Sequence, residues 1–135
     1  MEGKIKKMIN NFSFIVPGAP VGKERPRKGK HGFYTPKRTQ DYESLIAWHA
    51  SGALLNKKIN DPSQPWLMDQ VYSVEIKISR ENVKKKPDID NVLKSILDGM
   101  NKIVYHDDKQ VWKVYIEYID PSNINQVAIW VQYAT

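Results

Sequence analysis

The sequence contains no cysteine, which excludes disulfides, thiolate metal ligands and cysteine nucleophiles together and fits a reducing cytosol. No apolar run approaches the roughly 18 residues a membrane span needs, and the opening MEGKIKKMIN has no signal-type apolar segment. The expectation is a soluble, cytoplasmic protein with no membrane partner and no organic cofactor. Acids are scarce over residues 1–40, where Glu2 and Glu24 face ten lysines and arginines. Repeats and low-complexity tracts are absent, so the 135 residues read as one domain. A domain of that size buries about 70% of its unfolded surface and needs no disulfide or structural metal.

What is present is ordinary globular composition, 41% hydrophobic and 27% charged, with a formal net charge of +6. That balance leans towards a polyanionic partner. The cations are unevenly spread. Residues 1–11 read as a flexible basic N-terminus, and residues 17–38 as a long, irregular basic loop holding Lys23, Arg25, Arg27, Lys28, Lys30, Lys37 and Arg38. A second cluster, Lys84, Lys85 and Lys86, precedes a pair of aspartates. These ten cations are the expected DNA contacts, with Phe33 and Tyr34 interleaved for base stacking.

Periodicity predicts an α+β single domain, a mixed β-sheet with two helices packed on it, in the order β-α-β-α-β-β. Phe12–Val16 reads as a strand ending at Pro17. Thr39 is expected to cap a helix running to about Leu55, with Tyr42, Leu45, Ile46, His49, Ala53 and Leu54 on its apolar stripe. Val71–Ser79 alternates as a strand, with Val71, Ser73, Glu75 and Lys77 on one face. Residues 111–119 and 126–133 read as two strands joined as a hairpin through residues 120–123. His49 reads as a core histidine, and the four tryptophans as core or interface residues rather than stacking platforms.

The stretch KPDIDNVLK, residues 86–94, carries the chemistry. On the plain reading Asp88 or Asp90 caps a helix, worth about 1 kcal/mol, and Asp107-Asp108 is a polar turn. On the other, Pro87 enforces an extended approach, so Asp88 and Asp90 project together while Ile89 faces the core. Asp90, Lys94, Asp98 and Asn101 then flank the apolar stripe Val92, Leu93, Ile96, Leu97 and Met100. A helix ending near Asn101, with Asn101 left-handed and Ile103–Tyr105 extended, would bring Asp107 and Asp108 back towards Asp88 and Asp90. Two carboxylates about 4 Å apart repel by roughly 4 kcal/mol at an effective dielectric of 20, so gathered acids call for a cation. Oxygen-only ligands suit Mg²⁺, with Mn²⁺ as substitute. Such a metal within a basic domain points to phosphodiester hydrolysis, with Lys94 as a fixed cation for the phosphate or the attacking water.

The string KKPDIDNVLKSILDGMNKIVYHDDKQV, residues 85–111, resembles the RusA family of Holliday-junction resolvases, whose pattern is a basic-P/R-D-x-D-N-x-x-K start, a helix, then a hydrophobic step into D-D-x-Q-V. The loop GKERPRKG…FYTPKRTQDYE is similar to the branch found in Gram-positive bacteria and their prophages, and the likeness runs from about Phe12 to Tyr133. The resemblance implies a Mg²⁺-dependent homodimeric endonuclease that cuts four-way DNA junctions in recombination and repair. It implies Asp88, Asp90 and Asp108 as essential acids, Asp107 as the lesser member of its pair, and Lys94 as catalytic lysine. A broader flap or fork nuclease of phage replication and a non-catalytic DNA-binding module stand as the alternatives.

Overall fold

A computed structural model describes residues 9–80, 87–119 and 124–134. The basic cluster Lys84–Lys86, the connection at 120–123 and most of the basic N-terminus lie outside the described residues. The elements are β1 (Ile9–Pro17), β2 (Arg27–Gly29), β3 (Gly32–Tyr34), α1 (Lys37–Asn60), β4 (Tyr72–Ser79), α2 (Ile89–Met100), a single 3₁₀ turn (Asp108–Gln110), β5 (Val111–Tyr118) and β6 (Gln126–Ala134). The expected α+β architecture stands. No helix among the described residues is long and apolar enough to cross a membrane.

The main sheet has the strand order β1-β6-β4-β5. β6 pairs antiparallel with both β1 and β4, while β4 and β5 are parallel. A parallel pair needs a long crossover, and α2 supplies it. The predicted hairpin between residues 111–119 and 126–133 is therefore corrected, because β4 stands between the two strands. Their burial explains the choice. β6 buries Val127, Ile129, Val131 and Tyr133, as an interior strand should, whereas β5 exposes Trp112, Lys113, Val114 and Tyr115 and occupies the edge.

One face of this sheet carries the core. Phe12, Phe14 and Val16 of β1 and Val74, Ile76 and Ile78 of β4 meet Ile46 and Ala50 of α1 and Val92, Ile96 and Met100 of α2. Ser73, Glu75 and Lys77 take the opposite face, as the alternation predicted. Two helix expectations are corrected. α1 starts at Lys37 rather than after a Thr39 cap, and Thr39 is buried, its Oγ1 accepting a hydrogen bond from the Glu24 amide at 3.2 Å. Ile89 is 38% exposed rather than in the core, where α2 instead buries Val92 and Ile96. His49 is only half-buried, its ring edge-on to Trp48. Of the tryptophans only Trp66 is buried.

The helices cross closely at Gly99, where an added Cβ would lie 2.7 Å from the Ile46 Cβ and 3.0 Å from the Glu43 carbonyl. Gly99→Ala is expected to destabilise by about 1–3 kcal/mol through overpacking, despite the higher helix propensity of alanine. Urea unfolding measures it, and unchanged or increased stability would contradict the close crossing.

Candidate active site

The site is assembled along α2, and a segment of the basic loop pins that helix from one side. Residues 19–24 lie on α2: the Lys23 amide donates to the Asn91 carbonyl at 2.9 Å, and Ser95 Oγ donates to the Val21 carbonyl at 2.7 Å. Gly22 makes this possible, since a Cβ there would stand 3.1 Å from the Pro87 Cβ and 3.2 Å from the Asn91 Cβ. The rest of the loop is less irregular than its composition predicts. β2 and β3 form a two-stranded hairpin that carries Arg27, Lys28, Phe33 and Tyr34, all exposed.

At the N-terminal end of α2, Asp88 occupies the N-cap position with extended backbone (φ −63°, ψ 139°), yet its side chain makes no capping hydrogen bond. Capping thus leaves the Asp88 carboxylate unexplained. Asp90 Oδ1 accepts the neighbouring Asn91 amide at 3.0 Å. Tyr118 Oη donates to the Pro87 carbonyl at 2.8 Å and ties the helix start to the end of β5. Burial holds the Tyr118 phenol above its ordinary pKa, with Arg80 lowering and Asp88 raising it. Arg38, Arg80, Lys23 and Asp88 all line one open cleft of about 470 Å³.

Further along α2, charges alternate. Lys23 Nζ lies 2.6 Å from Glu43 Oε2 and 3.1 Å from Asp98 Oδ2, and Asp98 Oδ1 lies 3.8 Å from the exposed Lys94 Nζ. Burial opposes the Lys23 charge, but the hydrogen bonds to Glu43 and Asp98 prevail and hold its pKa above 10.5. Lys23 is thus engaged by two carboxylates at the cleft wall rather than displayed as a free surface cation. Lys37 pairs with Asp41 at 3.1 Å and Arg27 with Glu24 at 3.5 Å, both on the surface. Arg25 and Lys30 are exposed with the hairpin.

Past α2 the chain reverses tightly. Asn101 is extended (φ −59°, ψ 135°) and Lys102 takes the left-handed conformation (φ 70°), which corrects the expected left-handed Asn101. Ile103–Tyr105 form a turn rather than a strand, because Val104 and Tyr105 are drawn into the core. Trp66 Nε1 donates to the Val104 carbonyl at 3.0 Å, and Tyr105 Oη donates to the Leu97 carbonyl at 2.9 Å.

The acid pair follows at once. Asp107 Oδ1 accepts the Lys109 amide at 2.9 Å, and Gln110 Oε1 accepts the Asp107 amide at 3.0 Å and the His106 amide at 2.8 Å. The other end of the Gln110 side chain donates to the Met68 and Gln70 carbonyls at 2.7 and 2.9 Å. Gln110 therefore clamps the turn to the segment before β4. The pair is electrostatically split. The Lys109 amide holds Asp107 below the ordinary carboxylate pKa, whereas burial, opposed by Lys94 and reinforced by Asp107 and Asp98, holds Asp108 above it.

Asp108 is thus within electrostatic reach of Lys94 and Asp98, midway along α2, while Asp88 and Asp90 stand at its N-terminal end. The candidate donors are all carboxylate oxygens, the ligand type of a hard divalent cation. Among the described residues, no three of His, Cys, Asp and Glu are grouped closely enough to hold a metal ion. Sequence reasoning missed the roles of Gln110, Asp98 and Glu43. Gln110 was visible as the glutamine of D-D-x-Q-V, but the partners of Asp98 and Glu43 lie far away in sequence.

The family model described as endodeoxyribonuclease RusA matches residues 17–132. The chain belongs to the RusA endodeoxyribonuclease family and is a hydrolase acting on DNA. It is also similar to "Uncharacterized protein YqaN" of Bacillus subtilis (strain 168), 31% identical over 118 residues, an alignment spanning 74% of this chain and 81% of that protein.

Asp108→Asn is expected to stabilise the metal-free protein at neutral pH. The raised pKa of Asp108 means that its ionised form is disfavoured in the fold, so wild-type stability falls as pH rises from 3.8 through that raised value. The variant lacks this loss, and its advantage should vanish as pH falls back towards 3.8. Thermal unfolding in chelator at several pH values measures it. A variant less stable than wild type at neutral pH would refute the assignment.

Proposed function

We propose that the chain is a Mg²⁺-dependent, structure-selective endodeoxyribonuclease that resolves four-way DNA junctions in recombination and repair, working as a homodimer. What supports the reading above all is the Asp88 carboxylate, which makes no capping bond and faces a cleft shared with Arg38 and Arg80. A side chain serving only the helix would have taken the cap.

Asp88, Asp90 and Asp108, with Asp107 in the lesser role, would hold Mg²⁺ by drawing closer together than they stand in the metal-free fold, and Mn²⁺ would substitute. When bound, the ion supplies charge neutralisation at the scissile phosphate and a more acidic water. The chain's own groups do the rest. Arg38 and Arg80 bind backbone phosphates along the cleft. The β2–β3 hairpin, with Arg27, Lys28 and the exposed Phe33 and Tyr34, extends that surface to neighbouring nucleotides, and we assign Arg25, Lys30 and Lys37 to the same phosphate-facing surface, while Lys84–Lys86, outside the described residues, are assigned to DNA contact on their sequence alone. Lys94, 60% exposed and only loosely held by Asp98, is the cation assigned to the reacting phosphate. Asp98 limits where that ammonium can swing, and Lys23 shares the charge of Asp98 so that Lys94 is not locked. A junction presents two strands of like polarity about a two-fold axis, so two sites related by the same symmetry match it.

Two substitutions test the reading. Asp90→Asn should abolish Mg²⁺-dependent cutting of a synthetic four-way junction and reduce the melting-temperature rise on adding Mg²⁺, while gel-shift binding persists. Wild-type protein that binds junctions but never cuts them in Mg²⁺ or Mn²⁺ would leave only a DNA-binding module. Lys94→Ala should slow cleavage at least about 100-fold with little change in melting temperature, since an exposed i,i+4 pair contributes at most about 0.5 kcal/mol. A large stability loss with cleavage retained would reduce Lys94 to a structural role.

A further inference from the structure

α1 carries two apolar stripes on opposite sides. Tyr42, Ile46, Ala50 and Leu54 are buried against the sheet and α2. Leu45, Trp48, Gly52, Leu55 and Ile59 recur at steps of three and four on the other side, with Trp48 72%, Leu55 59% and Ile59 65% exposed. Three-four spacing on a solvent-facing helix surface is the pattern of a helix-packing seam. Residues 44–56 contain no Asp, Glu, Lys or Arg in a chain that is 27% charged. Depletion of charge with an exposed tryptophan marks an interface core rather than a solvated face. It also argues against DNA, whose binding rests on cations.

Gly52 sits mid-stripe, and a Cβ added there would meet nothing within 4 Å. It borders a hollow of about 590 Å³, walled by Phe14, Trp48, His49 and Leu55. That volume can admit an aromatic side chain. With Leu45, Trp48, Leu55 and Ile59 all more than a third exposed, the stripe is an apolar patch of about 300–600 Å², the size of the largest patch on a typical monomer. A standard interface buries about 800 Å² per partner, somewhat over half of it apolar, so the patch matches one such interface.

We propose that this face of α1 docks the same face of a second copy, the two helices antiparallel about an axis near Ala50. In that register each Trp48 falls over the partner's Gly52 and each Leu45 over the partner's Leu55, so the stripe is complementary to itself, as an isologous contact requires. The other large exposed surface, the open side of the main sheet, is less suited. Its Trp130 lies under Lys77 at 5.7 Å, Lys77 pairs with Glu75 at 3.5 Å, and Tyr115 Oη donates to Glu117 at 2.8 Å. Those groups satisfy one another within one subunit. The inference deepens the homodimer reading above by naming its surface, and its test uses neither DNA nor metal, so its failure leaves the nuclease reading standing.

Sedimentation velocity of the full chain over about 1–100 µM is expected to show a dimer. Gly52→Leu should raise its dissociation constant at least about tenfold by filling the hollow, while the melting temperature measured at dilutions where wild type is monomeric holds or rises, because leucine favours helix over glycine. Trp48→Ala should weaken the dimer similarly, with an unchanged far-ultraviolet circular dichroism spectrum. A chain monomeric throughout, a dimer that a folded Gly52→Leu leaves intact, or one broken instead by Trp130→Glu would each overturn the proposal.

Discussion

The site depends on one buried reversal. Val104 and Tyr105 are fully enclosed, and they fix the direction in which the chain leaves α2. Lys102 accepts the left-handed conformation so that these two side chains can turn inward. That conformation is uncommon for a residue with a side chain, and the burial it permits more than offsets its cost. Tyr105 then bonds back to the Leu97 carbonyl, so the reversal is fastened to the helix it has just left. Asp107 and Asp108 begin two residues later, with no slack in which to drift.

What the reversal sets in direction, Gln110 sets in position. One side chain accepts two amides of the acid turn and donates to two carbonyls before β4, tying the turn to backbone on both sides. Among the described residues the acid turn is thus positioned by backbone contacts, with Lys94 acting on Asp108 only through space. Asp98 is neutralised by Lys23, which Glu43 of α1 also grips. The chain of charges from Glu43 through Lys23 and Asp98 to Lys94 thus joins α1, the basic loop and α2 beside the acid turn. Electrostatic cost is tolerated where a substrate or ion would relieve it and removed elsewhere, as stability and activity trade against each other in functional sites.

Much of this was legible in residue order. Alternation located β4 and its two faces, the three-four spacing found both helices, and the acid–lysine–acid spacing of Asp90, Lys94 and Asp98 marked the polar flank of α2. The failures share one cause, which is tertiary context overriding a local preference. Thr39 is a good capping residue, yet its hydroxyl serves Glu24 from inside the helix. Asn101 is a good left-handed residue, but the neighbouring lysine took that conformation so that Val104 and Tyr105 could be buried. Lys23 looked like any cation of a basic loop, and only long-range contacts with Glu43 and Asp98 show it to be structural. Strand order was illegible for a similar reason, since two adjacent strands with turn residues between them imply a hairpin unless an earlier strand intervenes.

That intervening arrangement governs how the chain can fold as it is made. β6 is the last strand in sequence, yet it lies inside the sheet and is the sole neighbour of β1 there. Until residues 126–134 are available, β1 has no strand to pair with and β4 has one edge open. The β4–α2–β5 unit, which carries the acids and Lys94, can gather first because its contacts are closer in sequence. Closure must then wait for the final strand to slide between two that already exist. Until then a nascent chain exposes the edges of β1 and β4, a period in which a chaperone would have most to protect.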